Sequence, residues 1–141
     1  MCQRRHWMSP QRPIIYLIDD DTSVRRALGR VMTLGGLEWQ AFDSAESFLA
    51  TVRSNRHGCI VADMTMPGIS GLDLKILLDS SSIHLPLILL TAHDTEETRA
   101  AARNAGASAY FRKPVDIQAL LDAVRWALSN PPPLFSGETT K

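Results

Sequence analysis

Four apolar runs in this chain lead into side chains that can do chemistry: IIYLI into Asp19 and Asp20, CIVA into Asp63, LPLILL into Thr91, and SAYFR into Lys113. Carboxylates brought together repel unless a cation neutralises them. A hard, oxygen-seeking divalent ion suits them, and Mg²⁺ takes few protein oxygens and keeps several waters. One ammonium and one hydroxyl then remain, both suited to the equatorial oxygens of a phosphoryl group. A carboxylate can itself be the nucleophile and become an acyl phosphate, with lysine and cation stabilising the developing charge. Each residue alone has a plainer account, as a helix cap, a turn former or a solvated lysine. Their joint placement at the ends of apolar runs favours a phosphoryl-transfer site.

Such a site needs those runs to be neighbouring strands that point the same way. Residues 14–18 and 59–63 are short and wholly apolar before their acids, as strands buried on both faces of a parallel sheet are. Residues 85–91 form a fourth strand, 108–112 a fifth, and 37–42 a weaker second one. Helical periodicity separates them. Val24, Leu28 and Val31 mark a first helix ending at Gly35-Gly36, with Asp21 and Thr22 at its start. Asp43 with Glu46 predicts a capping box ahead of Ala45, Phe48, Leu49 and Val52; Ser70 with Asp73 opens a helix burying Leu74, Leu77 and Leu78. Asp94 with Glu97 caps an alanine-faced helix (Ala101, Ala102, Ala105) that stops at Gly106. Asp116 opens a last helix with Ile117, Leu120, Leu121, Val124 and Leu128 on one stripe. Alternating strands and helices predict a doubly wound α/β fold on a five-stranded parallel sheet, whose ligands sit at the carboxyl ends of the strands.

The 141 residues suit one domain, and 15 basic against 15 acidic residues give a formal net charge of zero, so no global field draws the chain to nucleic acid. Two cysteines, Cys2 and Cys59, make no disulfide framework, and Cys59 reads as a small core residue. The N-terminus lacks the apolar segment of a signal peptide and no run reaches membrane-spanning length, which points to a cytoplasmic protein without membrane contact. Residues 1–13 predict a disordered extension carrying Trp7, 14–129 the globular domain, and 130–141 a Pro-rich linker stub or tail. Trp39 reads as sheet packing, Trp126 as an exposed contact residue, and His93 as an exposed loop residue near the site rim.

Over residues 14 to about 129 the chain resembles a receiver domain of a two-component response regulator, through LIDDD, VADMTMPGISG, LLTA, GASAY and KP. The resemblance implies a CheY-like, flavodoxin-like (βα)₅ fold with strand order 2-1-3-4-5. It implies that Asp63 accepts a phosphoryl group from a phosphohistidine of a sensor histidine kinase. Asp19, Asp20, Asp63 and the backbone carbonyl of Thr65 would hold Mg²⁺. Thr91 becomes the switch hydroxyl, Lys113 the phosphate-pairing lysine, and Tyr110 the aromatic that changes rotamer. Such a domain is not an enzyme beyond its own phosphotransfer and slow autodephosphorylation.

The same resemblance places kinase recognition at Val24, Arg25, Leu28, Pro114 and Val115. It makes helix 4, strand 5 and helix 5 an output face, where Arg99, Arg103, Arg112 and Asp122 could pair across a phosphorylation-dependent homodimer. SVRRAL and SAESFLA look most like receivers of FixJ and NarL type, which normally carry a helix-turn-helix effector for transcription regulation. Residues 130–141 are too short for one, so no direct nucleic-acid binding is expected of this chain. Two rivals remain. A Mg²⁺-dependent phosphohydrolase of haloacid-dehalogenase type would use Asp19 as nucleophile, yet DDDTS matches its DxDxT motif only approximately. A phosphorylation-independent interaction module would have no use for the full acid, hydroxyl and lysine set.

Overall fold

The computed structural model describes residues 12–52, 57–81 and 83–131. The expected N-terminal extension, with Cys2 and Trp7, and the expected tail therefore lie almost wholly outside the described residues. The strands are β1 (Ile14–Ile18), β2 (Glu38–Phe42), β3 (Gly58–Asp63), β4 (Leu87–Thr91) and β5 (Ala109–Arg112). The helices are α1 (Thr22–Leu34), α2 (Ala45–Thr51), α3 (Gly71–Asp79), α4 (Glu96–Ala105) and α5 (Ile117–Ser129). The sheet is parallel throughout with order β2-β1-β3-β4-β5, as the resemblance implies.

Every residue of β3 and β4 is buried, and side chains alternate between the two faces of the sheet. Tyr16, Ile18, Ile60, Ala62, Leu87 and Leu89 meet α2, α3 and α4 through Phe48, Leu74, Leu78 and Ala102. Ile15, Leu17, Cys59, Val61, Ile88 and Leu90 meet α1 and α5 through Leu28, Met32, Leu120 and Val124. Period-two alternation on a twice-covered sheet explains why these strands read as unbroken apolar runs. Burying one such side chain stabilises by roughly 1.5–3 kcal/mol. Cys59 is one of them; burial pushes its thiol up to about 12, so it packs as an inert apolar group.

Two caps fall one residue later than the sequence predicts. Ser44, not Asp43, caps α2 by accepting the Ser47 amide, while Asp43 takes the Ser47 hydroxyl. Thr95, not Asp94, caps α4, in a reciprocal box with Thr98. In both places two adjacent residues can cap, and the second of each pair does so. The Ser70–Asp73 box and the caps by Asp21 and Asp116 form as expected. Leu77 is 40% exposed rather than buried, and Ile117 is 50% exposed. Gly106 ends α4 at φ 88°, a left-handed conformation that glycine adopts without strain.

Trp39 lies on the edge strand β2 against α1, where a Cβ on Gly29 would come within 2.5 Å of its indole, and its Nε1–H donates to Thr33 Oγ1 at 3.0 Å. Trp126 is 59% exposed on α5. Among the described residues no helix is long and apolar enough to cross a membrane.

Candidate functional site

The parallel register levels the strand ends. Ile18 pairs with Ala62, Asp63 with Leu90, and Thr91 with Arg112, so Asp19, Asp63, Thr91 and Lys113 emerge at one rim. Backbone bonds carry the ladder past the strands: Met64 N–H donates to Leu90 O at 2.7 Å and Lys113 N–H to Thr91 O at 2.7 Å. The rim stands at the carboxyl ends of β1 and β3, where the winding of the sheet reverses. The Lys113–Pro114 peptide is cis.

One oxygen each of Asp19, Asp20 and Asp63 lies within 4.8 Å of the other two. Asp19 and Asp63 are buried and Asp20 is exposed. The Lys113 ammonium bridges the buried pair, donating to Asp19 Oδ2 at 2.9 Å and Asp63 Oδ2 at 3.0 Å. Asp19 Oδ1 accepts the Asp21 amide at 2.9 Å and Asp63 Oδ1 the Thr65 amide at 3.0 Å. These contacts satisfy most of two buried carboxylates, which otherwise would be costly.

Burial raises the Asp19 carboxyl above its ordinary value; the Asp21 amide and Lys113 oppose that, and the Asp63 charge adds to it. Burial works against the charge on Lys113, but hydrogen bonds to Asp19 and Asp63, with their charges, outweigh it and raise its pKa. This is the electrostatics of an anionic pocket, in which a positive charge is favoured.

Thr91 is buried at the end of β4, and its hydroxyl donates to His93 O at 3.1 Å and accepts the His93 amide at 3.0 Å. Tyr110 is half-buried, and its hydroxyl faces the start of α4, 2.7 Å from Thr98 Oγ1 and donating to Asp94 Oδ1 at 2.9 Å. Asp94 also pairs with Arg99 at 3.3 Å. Burial raises the Tyr110 phenol; the Thr98 hydrogen bond opposes this and Asp94 adds to it. Thr65 is exposed beside Asp63, tied to it by its amide.

Two contributions escape a reading of spacing. Arg25, expected only on a partner surface, donates to the Asp19 carbonyl at 2.6 Å and to Thr22 Oγ1 at 3.1 Å, bracing the loop that carries the acids. Gly71 lets α3 approach the end of β3: a Cβ there would lie 2.4 Å from the Asp63 carbonyl oxygen. The PGISG stretch signals a turn and does not reveal that contact.

Residues 15–125 match the family described as response regulator receiver domain. Nodulation protein W of Bradyrhizobium diazoefficiens is 36% identical over 122 residues, covering 86% of this chain and 54% of that protein. The transcriptional regulatory protein FixJ of Azorhizobium caulinodans is 36% identical over 119 residues, covering 84% of this chain and 56% of FixJ. The chain thus spans about half the length of these curated relatives. The crystal structure of FixJ-N superposes with a TM-score of 0.79 at 31% identity, over 85% of this chain and 96% of that one. The response regulator StyR gives 0.78 at 39%, over 84% of this chain and 60% of that chain. A five-stranded parallel sheet with an acidic rim, a matching family and relatives of this kind lead to one conclusion: the chain belongs to the response regulator receiver domains.

Proposed function

We propose that Asp63 is the phosphoacceptor of this receiver and that Asp19, Asp20, Lys113 and Thr91 serve the transfer. The observation that carries this is the Lys113 ammonium held between Asp19 and Asp63, a cation already placed where a phosphoryl group on Asp63 would bring negative charge. One carboxylate oxygen of Asp63 attacks phosphorus. The bond from phosphorus to the kinase imidazole nitrogen breaks, and its electron pair returns to that ring. Lys113 then pairs with phosphoryl oxygens, and the Thr91 hydroxyl leaves His93 to donate to another.

The donor set fits Mg²⁺: three carboxylates, each with an oxygen within 4.8 Å of the others, and no nitrogen or sulfur ligand in the group. Asp19, Asp20, Asp63 and the Thr65 carbonyl would hold the ion, which neutralises these acids and polarises the phosphoryl oxygens. Asp21 stays outside the set because its carboxylate caps α1 through the Ser23 and Val24 amides.

A sensor histidine kinase would dock beside the rim, where Val24, Leu28, Val31, Leu34, Val115 and Ile117 line an apolar groove of about 680 Å³ between α1 and the loop after β5. The face formed by α4, β5 and α5 would carry the output as a phosphorylation-dependent homodimer. The relatives' names as transcriptional regulators support an output in transcription.

The test is the intact mass after incubation with acetyl phosphate and Mg²⁺, beside Asp63→Asn. One added phosphoryl group, absent in the variant, is the expected result. Equal gain by the variant would move the acceptor elsewhere, to Asp19 if the hydrolase reading holds, and no gain by either would favour an interaction module.

A further inference from the structure

We infer that Thr98 is the link through which departure of the Thr91 hydroxyl releases Tyr110, a positioning role at the first turn of α4 that rests on the phosphoacceptor reading above. Tyr110 has one hydroxyl proton, and at 2.9 Å it goes to Asp94 Oδ1, which as a carboxylate can only accept. The Tyr110 oxygen must then accept from Thr98 across their 2.7 Å contact. Thr98 also has one proton, with two other acceptors in reach: the His93 carbonyl at 3.2 Å and the Thr95 carbonyl at 3.0 Å. The His93 carbonyl is meanwhile satisfied by the Thr91 hydroxyl at 3.1 Å.

Both residues of the conformational change therefore end on one hydroxyl. While Thr91 donates to His93, the Thr98 proton is free for Tyr110 and holds the ring toward α4. When Thr91 turns to a phosphoryl group, the His93 carbonyl loses that donor, and among the described residues Thr98 is the other side chain placed to donate to it. A Thr98 proton turned to His93 leaves two oxygen lone pairs facing each other at the Tyr110 contact, unless Tyr110 gives up Asp94. Either way the pair of bonds fixing the ring is broken. Rotation of one hydroxyl couples two side chains that lie on different strands.

The chain has two tyrosines, Tyr16 and Tyr110, so 3-fluorotyrosine labelling gives two fluorine resonances, assigned with Tyr110→Phe. The full chain is observed with Mg²⁺, with and without beryllofluoride as the stand-in for a phosphoryl group on Asp63. Wild type is expected to show a Tyr110 resonance that moves on adding beryllofluoride. Thr98→Val should displace the resting resonance toward the activated position and cut the further movement to less than about half. Thr98→Ser, which restores the hydroxyl, should behave as wild type. Thr98→Ala is read in the same way should the valine variant not fold. A resting position and full movement unchanged in Thr98→Val would overturn the link while leaving the phosphoacceptor reading intact. A wild-type resonance that ignores beryllofluoride would overturn both.

Discussion

The Lys113 ammonium stands 3.0 Å from Oδ2 of Asp63 and, on its other side, 2.9 Å from Oδ2 of Asp19. One cation from the loop after β5 thus holds together two buried acids from β1 and β3, residues far apart in the chain.

Removing that cation should unsettle the fold. Lys113→Met leaves Asp19 and Asp63 facing each other without a counter-charge, and in metal-free buffer at neutral pH it is expected to lose about 2 kcal/mol, given a lysine partly open to solvent. Urea unfolding measures this, and Mg²⁺ should restore more stability to the variant than it adds to wild type. An unchanged midpoint in metal-free buffer would show that the bridge is not a net stabiliser.

Asp19 gives a pH dependence of defined sign. Its carboxyl is raised above the ordinary 3.8 by burial. Such a group favours folding when protonated; that contribution is complete below the ordinary value and is lost as pH rises through the raised one. In Asp19→Asn the loss disappears. The stability of the metal-free variant relative to wild type should therefore grow as pH is raised through that window. Lys113, raised above 10.5, contributes below its ordinary value and stops contributing as pH rises through its own raised value. A variant advantage that shrinks from acid toward neutral pH would contradict the assignment for Asp19.

Gly71→Ala should damage position as well as stability. The added methyl would meet the Asp63 carbonyl oxygen at 2.4 Å and Leu89 Cδ2 at 2.9 Å, so α3 must retreat from the end of β3. A loss of roughly 1–3 kcal/mol is expected, the usual range for overpacking. Slower labelling by acetyl phosphate should accompany it, and a variant melting and labelling as wild type would show that α3 yields freely.

On the face proposed for output, Arg112 is exposed at the end of β5, beside Thr91 in register. Arg112→Glu should keep the beryllofluoride-bound protein monomeric in sedimentation under conditions where wild type dimerises. Identical association of the two would remove Arg112 from the interface.

Much of this was legible in the residues, for identifiable reasons. β1, β3 and β4 are covered on both faces, so their apolar runs are uninterrupted and each chemically able residue stands out as the run ends. β2 sits at the edge with Glu38, Trp39, Gln40 and Ala41 exposed, which is why its pattern is weak. Caps were misplaced where two candidates adjoin, Asp43 with Ser44 and Asp94 with Thr95, since sequence cannot say at which the backbone turns helical. Leu77 fits the helical period yet faces outward, because α3 is covered on one side only. The contacts among His93, Asp94, Thr98 and Tyr110 were illegible for another reason: they depend on rotamers and on a register between β5 and α4 that only the assembled sheet supplies.

The reciprocal cap at the start of α4 has a consequence for which sequences this position tolerates. The third residue of such a box is commonly Glu or Gln, whose longer side chain reaches back to the capping amide. Thr98 fills that place here and accepts the Thr95 amide at 2.9 Å. A glutamate would keep the cap but bring a second carboxylate beside Asp94 and no hydroxyl proton. Substitutions chosen for a firmer helix start should therefore yield a sturdier protein that responds less, so thermal stability and responsiveness are set against each other at a single residue.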